Sequence, residues 1–418
     1  GKVGRTLVEQ LSKEGHDITI VDKSSERISQ ISNLYDVMGI AGNGASYKIL
    51  QEAGIDDADL IIAVTGSDEL NLLCCTIATQ VGNCAAIARV RTPEYSQEAK
   101  YLRDKLGLAL IINPELEAAI EMAHILYLPS SLEVTNFAHG QAQLIKYEIP
   151  EGSMLDGTKL MDLGTRHHAN ILIGAVERDD EVTIPSGDFV LRKGDKLSFV
   201  GERRHTKDFF SHIGVNTHSV KNTLIIGGGK AAYYLAKQLI SRGIKVKIIE
   251  NSFERCEELS IRLPEAVIIN GDGTDQALLK EEGIETCQSF VPLTGIDEEN
   301  IMLTLYAKQV SNAKVITKLN HITFTDVINS LDLGSVIYPK YITCEAIIAY
   351  VRAKKNSMNC NIETLYHMYD SRVEAIEFFV SENSNVTDIP LRDLKLKKHL
   401  LICFINRNGK IIIPTGND

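Results

Sequence analysis

Short aliphatic runs alternate along this chain with longer stretches whose apolar positions recur every three or four residues. The clearest case starts at 223–226, a run short and apolar enough for a buried strand. Gly227-Gly228-Gly229 follows, and 231–242 has the periodicity of a helix that Gly243 ends. Further strand-like runs come at 245–250, 266–270, 289–292 and 314–319, with helical stretches between them. Strands and helices alternating at this length predict an α/β fold, a Rossmann-type doubly wound parallel sheet covered on both faces. The same order of runs is present at 17–21, 37–41, 60–64 and 85–90. Each series closes on a helical stretch led by a proline, 114–128 and 339–353, where a missing N–H is tolerated in the first turn.

The two series are copies of one block. Gly1-Lys2-Val3-Gly4 aligns with Gly229-Lys230-Ala231-Ala232, Gly15 with Gly243, Asp22 with Glu250, and Arg27 with Arg255. One inserted residue later, Gly42-Asn43-Gly44 aligns with Gly271-Asp272-Gly273, Thr65-Gly66 with Thr294-Gly295, and Asn71 with Asn300. Shared apolar periodicity does not produce matches at glycines, acids and threonines, so the chain is an internal duplication. Between the copies, 132–202 changes texture to short alternating segments with polar turns, the pattern of a small β-rich domain. It too recurs, Ile184-Pro185-Ser186-Gly187-Asp188 matching Ile413-Pro414-Thr415-Gly416-Asn417. The expected organisation is a Rossmann-type domain at 1–130 lacking its first strand and a small α+β domain at 131–216. A second Rossmann-type domain follows at 217–357, then a truncated small domain at 358–418. The polar stretch 201–221 reads as the linker between halves.

Composition narrows the function classes. The 418 residues are 44% hydrophobic and 24% charged, as in a soluble protein of two to four domains. A net charge of −11 argues against wrapping nucleic acid or adsorbing on anionic lipid, though it suits docking on basic cytoplasmic loops of a membrane protein. No apolar run reaches the roughly 20 residues that span a bilayer. The eight cysteines form no CxxC pair and read as buried free thiols of a reducing compartment.

The chemistry concentrates at the glycine turns. In Gly227-x-Gly229-x-x-Ala232 the first glycine allows a tight strand-to-helix turn and the second lets backbone approach a pyrophosphate. The small third residue lets helix pack on strand. The helix amino terminus then offers N–H groups and partial positive charge to phosphate. Glu250 ends the next strand, where an acid accepts ribose hydroxyls and disfavours a 2′-phosphate; Asp22, followed by Lys23, holds that place after Gly1-Lys2-Val3-Gly4. Lys2 and Lys230 follow the turn glycines and read as phosphate ligands or as ordinary first-turn lysines. Arg27 and Arg255 are candidates to stack on a base, or solvated helix charges. Asn43 and Asp272 are candidates for the adenine edge or for turn formation. Thr65 and Thr294 fall at strand carboxyl ends, where ligands bind in open α/β sheets.

Catalytic groups are not evident. Tyr101/Lys105 and Tyr233/Lys237 mimic an oxidoreductase Tyr/Lys pair, but the second pair lies on the helix after the glycine turn, and both read as chance. His167-His168 has no ligand company and reads as a surface turn.

These features together resemble the RCK (KTN) nucleotide-binding family. The carriers are the glycine turn, the 20–28 run IVDKSSERI, the 42–75 run from Gly42 to Cys75, and the proline-led crossover helix. Two such units in tandem, each followed by a small β-rich domain, resemble TrkA-type regulatory subunits of Trk potassium uptake systems. The resemblance implies NAD(H) binding, with ATP or ADP as further ligands, at Gly1, Gly4, Asp22, Gly227, Gly229 and Glu250. It also implies that Arg89 and Lys318 reach phosphate. It implies a ring of tandem subunits on the cytoplasmic face of a membrane potassium-translocating partner, gating it without catalysis. The departures are Ala232 for a glycine, Asp272 against Asn43, and Pro292 against Ala63. Competing readings are an RCK module of another cation transporter and an NAD-dependent oxidoreductase.

Overall fold

The computed structural model describes the chain apart from residues 83, 129, 139–140, 167–169, 216–218, 321–324, 356–360, 370–371, 381–383, 385, 395, 397–398 and 416–417. His167, His168, Cys360, Gly416 and Asn417 therefore lie outside the described residues. Two compact units emerge: Gly1–Ala118 with Tyr338–Val351, and Ala119–Ile337 with Arg352–Asp418.

The first unit runs α1 (Lys2–Lys13), β1 (Thr19–Asp22), α2 (Ser25–Tyr35), β2 (Met38–Ala41), α3 (Tyr47–Glu52), β3 (Leu60–Ala63), α4 (Asp68–Val81) and β4 (Ala85–Arg89). It continues through α5 (Pro93–Gln97), α6 (Ala99–Leu106), β5 (Leu110–Ile112) and the start of α7 (Pro114–Tyr127). Local chemistry sets these limits. The Ser24 and Ser67 side chains cap α2 and α4, and Gly107, at φ 68°, stops α6. β1 pairs with β2, and β3, β4 and β5 form a second parallel group. Ala63, Cys74, Cys75, Ala86 and Ala88 fill the core between α4 and the latter group.

The second unit begins with an antiparallel sheet. Its elements are β6 (Glu133–Phe137), β7 (Ala142–Glu148), α8 (Leu163–Arg166), β8 (Ile171–Arg178), β9 (Glu181–Thr183), β10 (Lys196–Glu202) and α9 (Arg203–His212). The strand order is β6-β7-β10-β8-β9. The expected linker at 201–221 therefore contains helix α9 over 203–212. Phe209 and Phe210 of α9 are fully buried against Phe199, with ring centroids 5.4 and 5.7 Å away.

Next come β11 (Asn222–Ile226), α10 (Lys230–Ile240), β12 (Lys245–Glu250), α11 (Phe253–Arg262), β13 (Val267–Asn270), α12 (Gln276–Glu281) and β14 (Ser289–Pro292). The unit continues with α13 (Asp297–Val310), β15 (Lys314–Lys318), α14 (Thr325–Ser330) and β16 (Ser335–Ile337). All six strands are parallel, in the order β13-β12-β11-β14-β15-β16. The strand order reverses between β11 and β14, which is where open α/β sheets place ligands. In the first unit the place that β11 takes, between the β1 and β3 groups, has no strand among the described residues.

α15 (Pro339–Lys355), expected to complete the second Rossmann-type segment, belongs with the first unit through Val351. β17 (Asn361–Met368), β18 (Val373–Phe379), β19 (Ile405–Arg407) and β20 (Lys410–Ile412) follow as two hairpins. The two small β segments share one core: Phe137, Leu144 and Val200 pack with Met368, Tyr369 and Ile411. Polar groups at this junction are paired. Tyr369 Oη donates to Lys196 O at 3.0 Å, and Ala138 N donates to Glu377 at 2.9 Å. Glu177 joins Lys196 at 3.0 Å and Arg372.

Two outcomes test this packing. Phe210→Ala removes a fully buried ring and is expected to cost about 3–5 kcal/mol in chemical denaturation, whereas Tyr101→Ala, 61% exposed, stays within about 0.5 kcal/mol. His124 of α7 accepts a hydrogen bond from Asn136 at 3.2 Å, and burial with Arg203 and Arg242 nearby pushes its imidazole down to about 4. The unfolded chain then binds this proton first. Stability falls as pH drops from about 6.5 to 4, by about 3 kcal/mol for this group, and His124→Asn flattens that part of the slope.

Candidate functional site

The second cleft lies at the carboxyl ends of β11, β12, β14 and β15. Gly227 leaves β11 at φ 93°, a conformation side chains resist, and a β-carbon there would lie 3.1 Å from Leu293 O. Gly228 is equally enclosed: a β-carbon would meet Leu259 Cδ1 at 2.6 Å and Glu250 Oε2 at 3.0 Å. Gly229 differs, since nothing lies within 4 Å of a β-carbon at that position. It caps α10 with no side-chain hydrogen bond, so no capping side chain occupies the amino end of α10. Ala232, with no exposed surface, lets α10 sit close on the sheet.

Side chains converge on this turn. Glu250 Oε2 accepts from Gly228 N at 2.5 Å and Oε1 from Ser252 N at 2.8 Å. A carboxylate has about four acceptor sites, so capacity for ribose hydroxyls remains. Lys318 Nζ donates to Thr294 O at 2.8 Å and Leu293 O at 3.3 Å, the carbonyl that Gly227 abuts. Arg255 does not extend into solvent: its Nε donates to Gly228 O at 2.7 Å and its Nη1 pairs with Glu258. Lys230 is half-buried at the first position of α10.

The first cleft repeats the arrangement with other side chains. Gly1 caps α1 without a side-chain bond, and a β-carbon there would be 3.9 Å from Val64 O. Val3 is buried, and Gly4 brings α1 against Val64 Cγ2, 3.5 Å from a β-carbon. Asp22 accepts from Ser24 N at 2.9 Å and stands 3.8 Å from Arg27 Nη1. Lys23 and Arg27 are exposed, and the Lys2 side chain lies outside the described part. Arg89 Nη2 donates to Thr65 O, the counterpart of the Lys318 contact. Burial, then the neighbouring Arg91, holds the Arg89 guanidinium below its ordinary value.

Asn43 and Asp272 are exposed and form turns. Asn43 Oδ1 accepts from Ala45 N at 3.3 Å, and Asp272 Oδ1 accepts from Thr274 N at 2.9 Å and its hydroxyl at 2.8 Å. Those bonds hold the Asp272 carboxyl below its ordinary range.

Four positions carry the clefts in roles the sequence did not assign to them. Asn300, fully buried, takes Thr294 N on Oδ1 at 3.0 Å and donates Nδ2 to Lys318 O at 2.9 Å, tying β14 to β15. Asn71 makes the same pair with Thr65 N, 2.8 Å, and Arg89 O, 2.9 Å. Asp68 Oδ2 accepts from Arg91 N, Thr92 N and Thr92 Oγ1, and Asp297 accepts from Asn320 N and Nδ2. Their identity in both copies was the available signal.

The described residues bring no catalytic set together. Tyr233 is buried against Tyr234, with ring centroids 5.5 Å apart, while Lys237 and Tyr101 are exposed. No cluster of three metal-binding side chains occurs among the described residues. A cavity of about 1070 Å³ lies at the amino ends of β11, β14 and β15, near Lys221, Gln288 and Lys314. That is the edge opposite the glycine turn, so it is not the nucleotide cleft.

Comparison with known proteins identifies the family. Residues 1–114 and 223–339 match the TrkA-N domain, and residues 144–214 match the TrkA-C domain. The Trk system potassium uptake protein TrkA homolog 1 of Methanosarcina mazei is 33% identical over 100% of this chain and 92% of its own length. The Trk system potassium uptake protein TrkA of Halomonas elongata is 31% identical over 99% of this chain and 90% of its own. Among solved structures, the GsuK RCK domain superposes with a TM-score of 0.66 at 18% identity, covering 87% of this chain and 78% of that one. The GsuK channel bound to NAD gives the same TM-score and identity, over 87% of this chain and 64% of that one. At that identity the likeness is one of fold. Matched by the TrkA-N domain in both copies and by full-length relatives at 33% identity, the chain belongs to the TrkA family.

Proposed function

We propose that this protein is the nucleotide-sensing regulatory subunit of a Trk-type potassium uptake system. It binds NAD(H), and ADP or ATP, in its Rossmann-type clefts and gates a membrane potassium-translocating subunit without chemical turnover. The observation that carries this is the second glycine turn: closed against Leu293 O at Gly227, open at Gly229, and flanked by Lys318 and Glu250. That arrangement accommodates a pyrophosphate at an uncapped helix end and a ribose at the acid. The relatives' names supply the transport system, and one GsuK structure holds NAD and another ADP. No described helix is long and apolar enough to cross a membrane. In this reading the chain acts at the cytoplasmic face, self-associated in a ring beneath its partner.

Gating requires that the nucleotide bind one arrangement of the protein better than another. The clefts suit that role because Lys318 and Arg89 are held by backbone carbonyls of the turn that phosphate approaches. A ligand that takes up these cations also alters their hold on the strand ends.

Isothermal calorimetry of the full chain with NADH, NAD, ADP and ATP is the direct test, and heat from none of them ends the proposal. Two substitutions separate fold from ligand. Gly229→Val fills open space at φ −65°, so it is expected to keep Tm within a few degrees while abolishing measurable NADH binding at the second cleft. Gly227→Ala meets both positive φ and Leu293 O, and is expected to destabilise by about 1–3 kcal/mol. Asn300→Ala strands the Thr294 and Lys318 backbone groups and is expected to cost about 2–4 kcal/mol in denaturation.

A further inference from the structure

The two clefts share a scaffold but not a set of donors. In the first, three consecutive carbonyls, Val64, Thr65 and Gly66, line the approach to the glycine turn. Gly1 lies beside Val64 O, Arg89 Nη2 donates to Thr65 O, and Arg91 Nη2 donates to Gly66 O at 2.8 Å. Two guanidinium groups therefore stand side by side on one short stretch of backbone. In the second cleft the corresponding positions are Lys318 and Asn320. Lys318 is a single ammonium, and Asn320 is an uncharged amide that turns to Asp297, with Nδ2 2.8 Å from Oδ1.

Resting on the nucleotide-binding reading above, we propose that the first cleft selects a nucleotide ending in a free terminal phosphate, a nucleoside di- or triphosphate, and the second a dinucleotide. A terminal phosphate offers three acceptor oxygens and up to two negative charges, whereas each phosphate of a dinucleotide is linked on both sides, by one ester and one anhydride bond, and carries one charge. The first cleft has the donors to match the former. Arg89 Nε is buried and has no hydrogen-bond partner among the described residues. Neighbouring carboxylates do not meet that need. Asp68 Oδ2 is taken up by Arg91 N, Thr92 N and Thr92 Oγ1, while Asp68 Oδ1 and Glu115 Oε1 form ion pairs with Arg91 Nε and Nη1, each at 3.8 Å and beyond hydrogen-bond distance. Burial and the adjacent Arg91 disfavour the Arg89 cation more than Asp68 and Glu115 favour it, so an arriving anion is stabilised there. In the second cleft Lys318 is the one charged group of the pair 318/320; it already donates to Leu293 O and Thr294 O, and the singly charged phosphates of a dinucleotide call for fewer donors than a doubly charged terminal phosphate.

Calorimetry on the full chain with ADP and with NADH as separate probes tests this, using Glu250→Ala and Asp22→Ala to assign each heat to a cleft. Arg91→Asn is expected to weaken ADP about tenfold to a hundredfold, the range for one charge-assisted hydrogen bond, and to leave NADH within twofold. Arg91→Lys, which keeps the charge, is expected to retain most of the ADP affinity, and an unchanged Tm excludes loss of the fold. Asn320→Arg is expected to bring ADP to the second cleft. The proposal is overturned if Arg91→Asn leaves ADP unaffected, weakens NADH equally, or if Arg91→Lys behaves like Arg91→Asn. Absence of binding by both probes to the unsubstituted chain instead removes the underlying nucleotide reading.

Discussion

The turn between β11 and α10 can close only because residue 227 has no side chain, and the second cleft is built around that closure. With Gly227 against Leu293 O, the amino end of α10 is held over the point where the strand order reverses. The same carbonyl then anchors Lys318, and Glu250 reaches Gly228 N from the neighbouring strand. Cation, acid and uncapped helix end thus occupy one turn of backbone, an arrangement that no single one of these residues would produce.

Holding that turn against the sheet falls to buried amides rather than to the ligand-facing groups. Asn300 spans from Thr294 to Lys318, and Asn71 from Thr65 to Arg89, each pairing a backbone N–H of one strand end with a backbone carbonyl of the next. The duplicated blocks have kept this part alike and let the donors around it diverge. A buried amide with fixed partners admits almost no substitute, whereas a group facing a ligand can change with the ligand.

Periodicity exposed most of the strands because a parallel strand covered on both faces must be apolar throughout. Expected and observed limits differ by one or two residues at β1, β2, β3, β4, β11, β13 and β15. The short strands β5 and β16 were not legible, since three residues carry no period. α9 was read as linker because Arg203, Arg204, Lys207 and Asp208 make it polar on most of its surface. Its apolar contribution is the adjacent pair Phe209-Phe210. At the clefts, the glycines and acids could be found from spacing. The asparagine staples could not, because an asparagine in a helix gives no sign that its partners lie 6 and 18 residues away.

By itself the sequence determined that the chain is a duplicated α/β block, where its glycine turns fall, and which acid ends the following strand in each copy. These are local consequences of backbone sterics and of apolar spacing. Tertiary structure alone decided that residues 338–351 pack with the first unit, that both small β segments share a core, and that Arg89 and Arg91 stand together. Each of these depends on surfaces brought together from distant parts of the chain, and no short-range pattern records which buried surface a segment will find.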